Sequence, residues 1–212
     1  MLSPRIARNF FSFLALGALL MTGIPSQSQA RTQYHGELGD LTRTKDSVFD
    51  EFYTRQDIDF STYDKVWIKA VGVIYGRDRY FKEYSARDLQ GRQDYLHQVL
   101  TEKFSATHTL VEEAGPGVLI IEASITHLRN NKPTLDQMSD KLSMSWSGSF
   151  QAGAAGFQAD IIDGETGEHL AAVADRRASP GIGFHIKNQY TTWGDSEDYM
   201  DRWAKVLPQR LD

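Results

Sequence analysis

The sequence predicts an α+β protein: a two-layer sandwich with a mixed, mostly antiparallel sheet of five or six strands and two main helices on one face. Three observations predict it. Several stretches, Lys65–Tyr75 and Leu142–Phe150 among them, are rich in strand-forming residues or alternate with period two. Two others, Ser85–Ser105 and the run after Asp195, repeat their apolar residues at helical spacing. Finally, strand, helix, hairpin, a second strand set and a terminal helix follow one another along the chain, an order that suits helices gathered on one side of a sheet.

In chain order, residues 1–30 read as a secretory leader. Arg5 and Arg8 precede an apolar run from Phe10 to Met21, and Ser28-Gln29-Ala30 places small residues at a cleavage point, so cleavage is expected near Ala30. The apolar run is too short to span a hydrocarbon core, which takes roughly 20 residues. Residues 31–62 are polar and aperiodic but carry Tyr34, Leu38, Leu41, Phe49, Phe52 and Phe60, so they read as an extended arm lying on a single domain of residues 63–212. Lys65–Tyr75 predicts a central strand with a bulge near Lys69–Val71.

Ser85 and Asp88 form a capping box ahead of Leu89, Leu96, Val99, Leu100 and Phe104, predicting a helix over 85–105. Thr107–Glu112 and Val118–His127 read as a hairpin closed by Glu113-Ala114-Gly115-Pro116-Gly117. Leu142–Phe150 alternates large apolar residues with serines, and the Gly-rich stretch from Gly148 to Gly156 predicts a sharp bend. Gly156–Asp163 and Glu168–Arg177 follow as strands joined by Asp163-Gly164-Glu165-Thr166-Gly167. Asp195 is placed as the cap of a last helix with Met200, Trp203, Val206, Leu207 and Leu211 as its stripe, ended or kinked by Pro208.

Bulk properties narrow the functional classes. Without residues 1–30 the chain has 182 residues, enough for one domain that hides roughly 70% of its unfolded surface. The formal charge of −5 becomes −7 once Arg5 and Arg8 are gone, which disfavours nucleic acid as a partner. The chain has no cysteine, so burial and backbone pairing must hold it together without a disulfide. The expected location is the periplasm, with no transmembrane segment in the mature chain.

Gly36-Glu37-Leu38-Gly39-Asp40-Leu41, the run Asp59–Val66, Gly115-Pro116-Gly117-Val118-Leu119, Asp163–Glu168, Ala171–Ala178 and Trp193-Gly194-Asp195 occur in an order and spacing that span Tyr34–Leu211. In these phrases the chain resembles the bacterial lipoprotein-like family known as domain of unknown function 3313. The resemblance implies a location in the cell envelope and no assigned activity. The chain departs from it at the cleavage point, where Ala30-Arg31 stands and lipidation would need a cysteine.

No catalytic constellation emerges. The six histidines are dispersed without zinc-ligand spacing, so no metal and no cofactor is expected. Asp160, Asp163, Glu165 and Glu168 fit a hairpin turn better than a calcium loop. Ser143–Ser149 lie on one face of an alternating strand and lack a nucleophile elbow. Gly153–Gly156 and Gly181–Gly183 precede no helix that could cradle a phosphate.

The binding candidates are Asp175, Arg176 and Arg177, together with Trp146 and Trp193. On a strand Asp175 and Arg177 share one face while Arg176 points the other way. One arginine should therefore meet the sheet–helix layer and take an anionic partner, with Asp195 or Glu197 as candidates; an anion-binding site is the alternative. Trp67 and Trp203 read as core. Trp146 and Trp193 could instead present aromatic platforms to a glycan or protein, although packing under the helices is the simpler reading.

The expected function is a non-enzymatic periplasmic binding or interaction module whose partner is another envelope protein or envelope component. The alternatives are a small-ligand, lipid or glycan carrier using Arg129–Ser149 as a pocket wall, and a hydrolase of unrecognised type.

Overall fold

A computed structural model describes residues 34–75, 84–131, 153–178 and 191–212. Among these residues eight strands form one sheet: β1 (Thr42–Thr44), β2 (Glu51–Thr54), β3 (Lys65–Ile68), β4 (Gly72–Val73), β5 (Thr109–Leu110), β6 (Val118–Arg129), β7 (Ala154–Asp163) and β8 (His169–Ala178). Their order across the sheet is β1-β2-β8-β7-β6-β3-β5, with β4 also paired to β6. The class is α+β, but eight strands exceed the five or six expected. The difference lies in short pieces. β1, β2, β4 and β5 have two to four residues each, too few for alternation to register in the sequence.

Helix α1 (Ala86–Phe104) starts where the capping box places it. Ser85 Oγ accepts the Asp88 N–H at 3.1 Å, and all five stripe residues are buried. Helix α2 (Gly194–Val206) starts at Trp193 without any side-chain cap, so Asp195 does not fill the expected role. It sits in the first turn instead, and its carboxylate accepts the Gly153 N–H at 3.0 Å, tying the start of α2 to the strand below.

The hairpin expected between Thr107–Glu112 and Val118–His127 is not formed. β5 and β6 both run parallel to β3 and flank it on opposite sides. The Gly–Pro loop is long enough to pass the end of β3, where Gly117 at φ 70° lets the chain turn into β6. The expected bulge does occur. From Ile68 to Gly72 the chain takes four steps while β6 takes three, from Ile121 to Ser124. A second bulge inserts Thr126 into β6 between the pairs Ile125–Phe157 and His127–Gly156. The β7–β8 turn is a true hairpin: Asp163 Oδ1 accepts the N–H groups of Glu165 and Thr166 at 2.7 and 2.8 Å.

The core fills the layer between the sheet and the two helices. Leu119, Ile121, Ile125, Phe157 and Ile161 meet Leu96, Leu100, Phe104, Met200 and Trp203, all fully buried or nearly so. Trp67 lies outside it. Val66 and Ile68 take the helix side, so period two puts Trp67 on the opposite face, half-buried, with Lys69 Nζ 5.1 Å from its ring centroid. That opposite face is partly covered by residues 34–41. Tyr34, Leu38 and Leu41 pack on Ala172, Ala174 and Tyr53, and β1 and β2 then join the sheet beside β8. Residues 34–62 thus cross the sheet and also extend it. Trp146 and the expected strand Leu142–Phe150 lie outside the described residues.

Candidate functional site

Near the end of β8 the alternation of the strand divides three adjacent charges between two environments. Asp175 points into the helix layer and is fully buried. Its Oδ2 accepts from Trp203 Nε1 at 2.6 Å and Arg177 Nε at 2.7 Å; its Oδ1 accepts from the second Arg177 nitrogen at 2.7 Å and the Asp50 N–H at 3.1 Å. Arg177 also donates to the Val48 carbonyl and lies 3.5 Å from the Asp50 carboxylate. Burial pushes the Asp175 pKa up, and the hydrogen bonds from Arg177 and Trp203 partly offset that rise.

This fork joins β8, the approach to β2 and helix α2 at one carboxylate. Trp203 can reach it because its ring stacks on Phe157 at 5.2 Å, which aims the indole N–H at the strand end. Arg177 is therefore the arginine that meets the layer, and its partner is Asp175 rather than Asp195 or Glu197. Asp195 is occupied by Gly153, and Glu197 forms an ion pair with Arg92 of α1.

Trp193 is half-buried at the joint between the two helix starts. Its ring is 5.2 Å from that of Tyr84, and the Arg92 guanidinium lies 5.2 Å from its centroid. It packs against the main core and so works as a wedge between α1 and α2.

Arg176 faces the other way. Across β8, β7 and β6 the register sets Arg176, Gly156 and His127 in one row, and Ala178, Ala154 and Arg129 in the next. A guanidinium can only donate, so the Arg176–His127 contact at 3.2 Å makes Nε2 the acceptor and leaves the imidazole proton on Nδ1. His127 is 3% exposed. Burial, then the charges of Arg176 and Arg129, push its pKa down to about 3, so the ring is neutral near pH 7. Gly156 is required between them. A Cβ there would stand 2.6 Å from Thr126 Oγ1 and 2.8 Å from His127 Cβ, because the bulge at Thr126 crowds β6 against β7.

The next two rows along β7 on the same face carry the anchor of the segment that begins at Tyr34. Gln158 uses both ends of its amide on the His35 backbone, accepting at 2.7 Å and donating at 3.2 Å. The Tyr34 hydroxyl donates to Asp160, whose pKa burial pushes up. The four acids considered for calcium separate accordingly: Asp160 faces Tyr34, Asp163 takes the Tyr63 hydroxyl at 2.6 Å and holds its turn, Glu165 is exposed in that turn, and Glu168 pairs with Arg55.

Sequence reasoning selected Arg176 but missed His127, Arg129 and Gly156. His127 stands in an alternating strand, and only the bulge at Thr126 moves it into line with Arg176. A glycine inside a strand pattern was the available signal, since it marks a bulge or a close approach.

Fold and site together define an α+β sandwich in which Asp175 binds Arg177 on the helix side, while the opposite face carries Arg176, His127 and Arg129 beside the anchored segment of residues 34–41. The chain belongs to the family described as protein of unknown function DUF3313, whose model matches residues 30–207. No curated protein matches the chain. Among solved structures it is similar to the PelC dodecamer from Paraburkholderia phytofirmans, at 11% identity and TM-score 0.37 over 69% of this chain and 89% of that one. It is similar to a minor lipoprotein from Acinetobacter baumannii at 12% identity and TM-score 0.33, covering 70% and 92%. Uncharacterized lipoprotein B from Nitrosomonas europaea is similar at 16% identity and TM-score 0.31, covering 70% and 79%. TM-scores this low carry no assignment. No helix among the described residues is long and apolar enough to cross a membrane.

Proposed function

We propose that this protein is a non-enzymatic binding module of the cell envelope, and that it holds another envelope component on the sheet face turned away from its helices. The observation that carries the reading is the division of charge at the end of β8. Asp175 and Arg177 are consumed inside the fold, whereas Arg176 is delivered with His127 and Arg129 to the opposite face. A side chain that welds elements together is poorly placed to meet a partner, and one on a sheet face is well placed. The leader-like residues 1–30 support the envelope setting.

Photo-crosslinking in intact cells tests this. A crosslinker at Ser124, half-buried on that face, should trap a discrete adduct, and one at Arg87, exposed on α1, should not. Equal background at both positions would overturn the reading.

A further inference from the structure

Among the described residues the sheet ends in β1 on one side and β5 on the other, each with a strand neighbour on one side only. Every residue of both strands is exposed, so neither edge is covered. On β5 the amides of Thr109 and Val111 donate to the Asp64 and Val66 carbonyls at 2.9 and 3.0 Å, which turns the N–H and C=O of Leu110 away from β3. The two edges differ in charge. Arg43 stands in β1 with Lys45 just after it, whereas β5 leads through Val111 into Glu112 and Glu113, and all four charged residues are exposed. The neighbouring charges are already matched: Asp46 accepts from Arg210 at 2.6 Å, and Lys65 lies 3.7 Å from Asp64. Lys45, Glu112 and Glu113 have no ion pair or hydrogen-bond partner among the described residues.

We propose that β1 of one copy of this chain pairs with β5 of a second copy, a head-to-tail join that continues the sheet from one molecule into the next. The join uses the edges of the sheet and so leaves the face assigned to an envelope partner free. Charge selects it. Pairing β1 with β1 would set Arg43 and Lys45 against their own copies, and pairing β5 with β5 would do the same to Glu112 and Glu113. Only β1 against β5 brings unlike charges together. Charged residues ordinarily keep an edge from pairing; here they oppose the two like pairings and favour the unlike one. Strand direction agrees. Four antiparallel steps lead from β1 to β6 and two parallel steps lead on to β5, so β1 and β5 point the same way. A head-to-tail join is then a parallel pairing, and Lys45 leaves β1 in the same direction as Glu112 and Glu113 leave β5. Each added copy still offers one edge of either kind, so the assembly grows into a ring or a filament. Two short strands bury little surface, which makes the join weak and reversible.

Analytical ultracentrifugation of the purified protein up to about 1 mM should show association that grows with concentration and weakens as salt is raised. The double variant Arg43→Glu, Lys45→Glu should weaken it roughly tenfold or more, and so should the double variant Glu112→Lys, Glu113→Lys. Mixing the two decides. The first variant has two acidic edges and the second two basic ones, so an equimolar mixture should associate although neither variant does alone. If Arg43→Glu, Lys45→Glu melts early, Lys45→Glu by itself, at a position without a partner, takes its place. A protein that stays monomeric at every concentration, association indifferent to either set of substitutions, or a mixture that stays apart overturns the proposal.

Discussion

At the scale of single residues, Asp175 carries the most structure per atom. Replacing it with alanine strands the Trp203 indole N–H and the Arg177 guanidinium in the layer. Breaking a buried pair from one side costs about 3–5 kcal/mol, and in a chain of this size each kcal/mol lowers the melting temperature by roughly 2–4 °C. Asp175→Ala should therefore melt about 10 °C early in a calorimetric scan, and Arg177→Ala should fall in the same direction. Arg176→Ala should lower the melting temperature less, because its side chain lies on the opposite face and its loss leaves the Asp175 fork intact. An equal loss for both arginines would remove the distinction between them.

His127 gives a pH signature at the same scale. Its folded pKa is depressed to about 3, below the ordinary 6.5. Above pH 6.5 folded and unfolded chains are both neutral there and the contribution to stability is intact. As the pH falls toward 3 the unfolded chain takes up a proton that the folded chain refuses, so stability drops by up to about 1.4 kcal/mol per pH unit. Asp160 and Asp175, which burial pushes up, act with the opposite sign just above pH 3.8. Comparing the wild type with His127→Gln separates the two effects. The wild type should lose more stability than the variant between pH 6.5 and 4.5, and parallel curves would refute the assignment.

At the scale of elements, the helices were legible and the shorter strands were not. Ser85, Asp88 and the five-residue stripe located α1 to within one residue at each end, because capping and burial act locally. Ser85→Ala should accordingly cost about 1 kcal/mol by chemical denaturation, the usual worth of an N-cap hydroxyl. β6, β7 and β8 were also legible, since ten to twelve residues are long enough for alternation to show. β5 misled because a Gly–Pro loop between two strand-like runs is what a hairpin requires, and nothing local records that β3 will lie between them. The candidate site has the same history. Arg176 could be assigned a face from period two alone, but its meeting with His127 depends on a one-residue bulge in a different strand. Gly156→Ala tests that crowding directly: the added methyl should push β6 and β7 apart and lower the melting temperature, unlike a typical glycine replacement in a strand.

At the scale of the whole molecule, the N-terminal segment is fastened to the sheet by a few polar contacts around a small apolar cluster. Gln158→Ala removes both hydrogen bonds to His35 while leaving the main core untouched. It should speed limited proteolysis within residues 34–41 several-fold without a matching loss in global stability, since local opening and global unfolding are then uncoupled. Cleavage at the wild-type rate would show that Tyr34 and the apolar contacts suffice.

The pairing of β2 with β8 joins Glu51–Thr54 to Ala171–Ala174. Such distant partners give a high contact order, and topologies of this kind refold in milliseconds to seconds rather than microseconds. During synthesis the first two strands must wait until most of the polypeptide has left the ribosome, and Phe52 has no pocket to enter before then. A nascent chain stalled ahead of residue 171 would therefore offer an unzipped margin to chaperones, and the sheet closes only when its last strand is made.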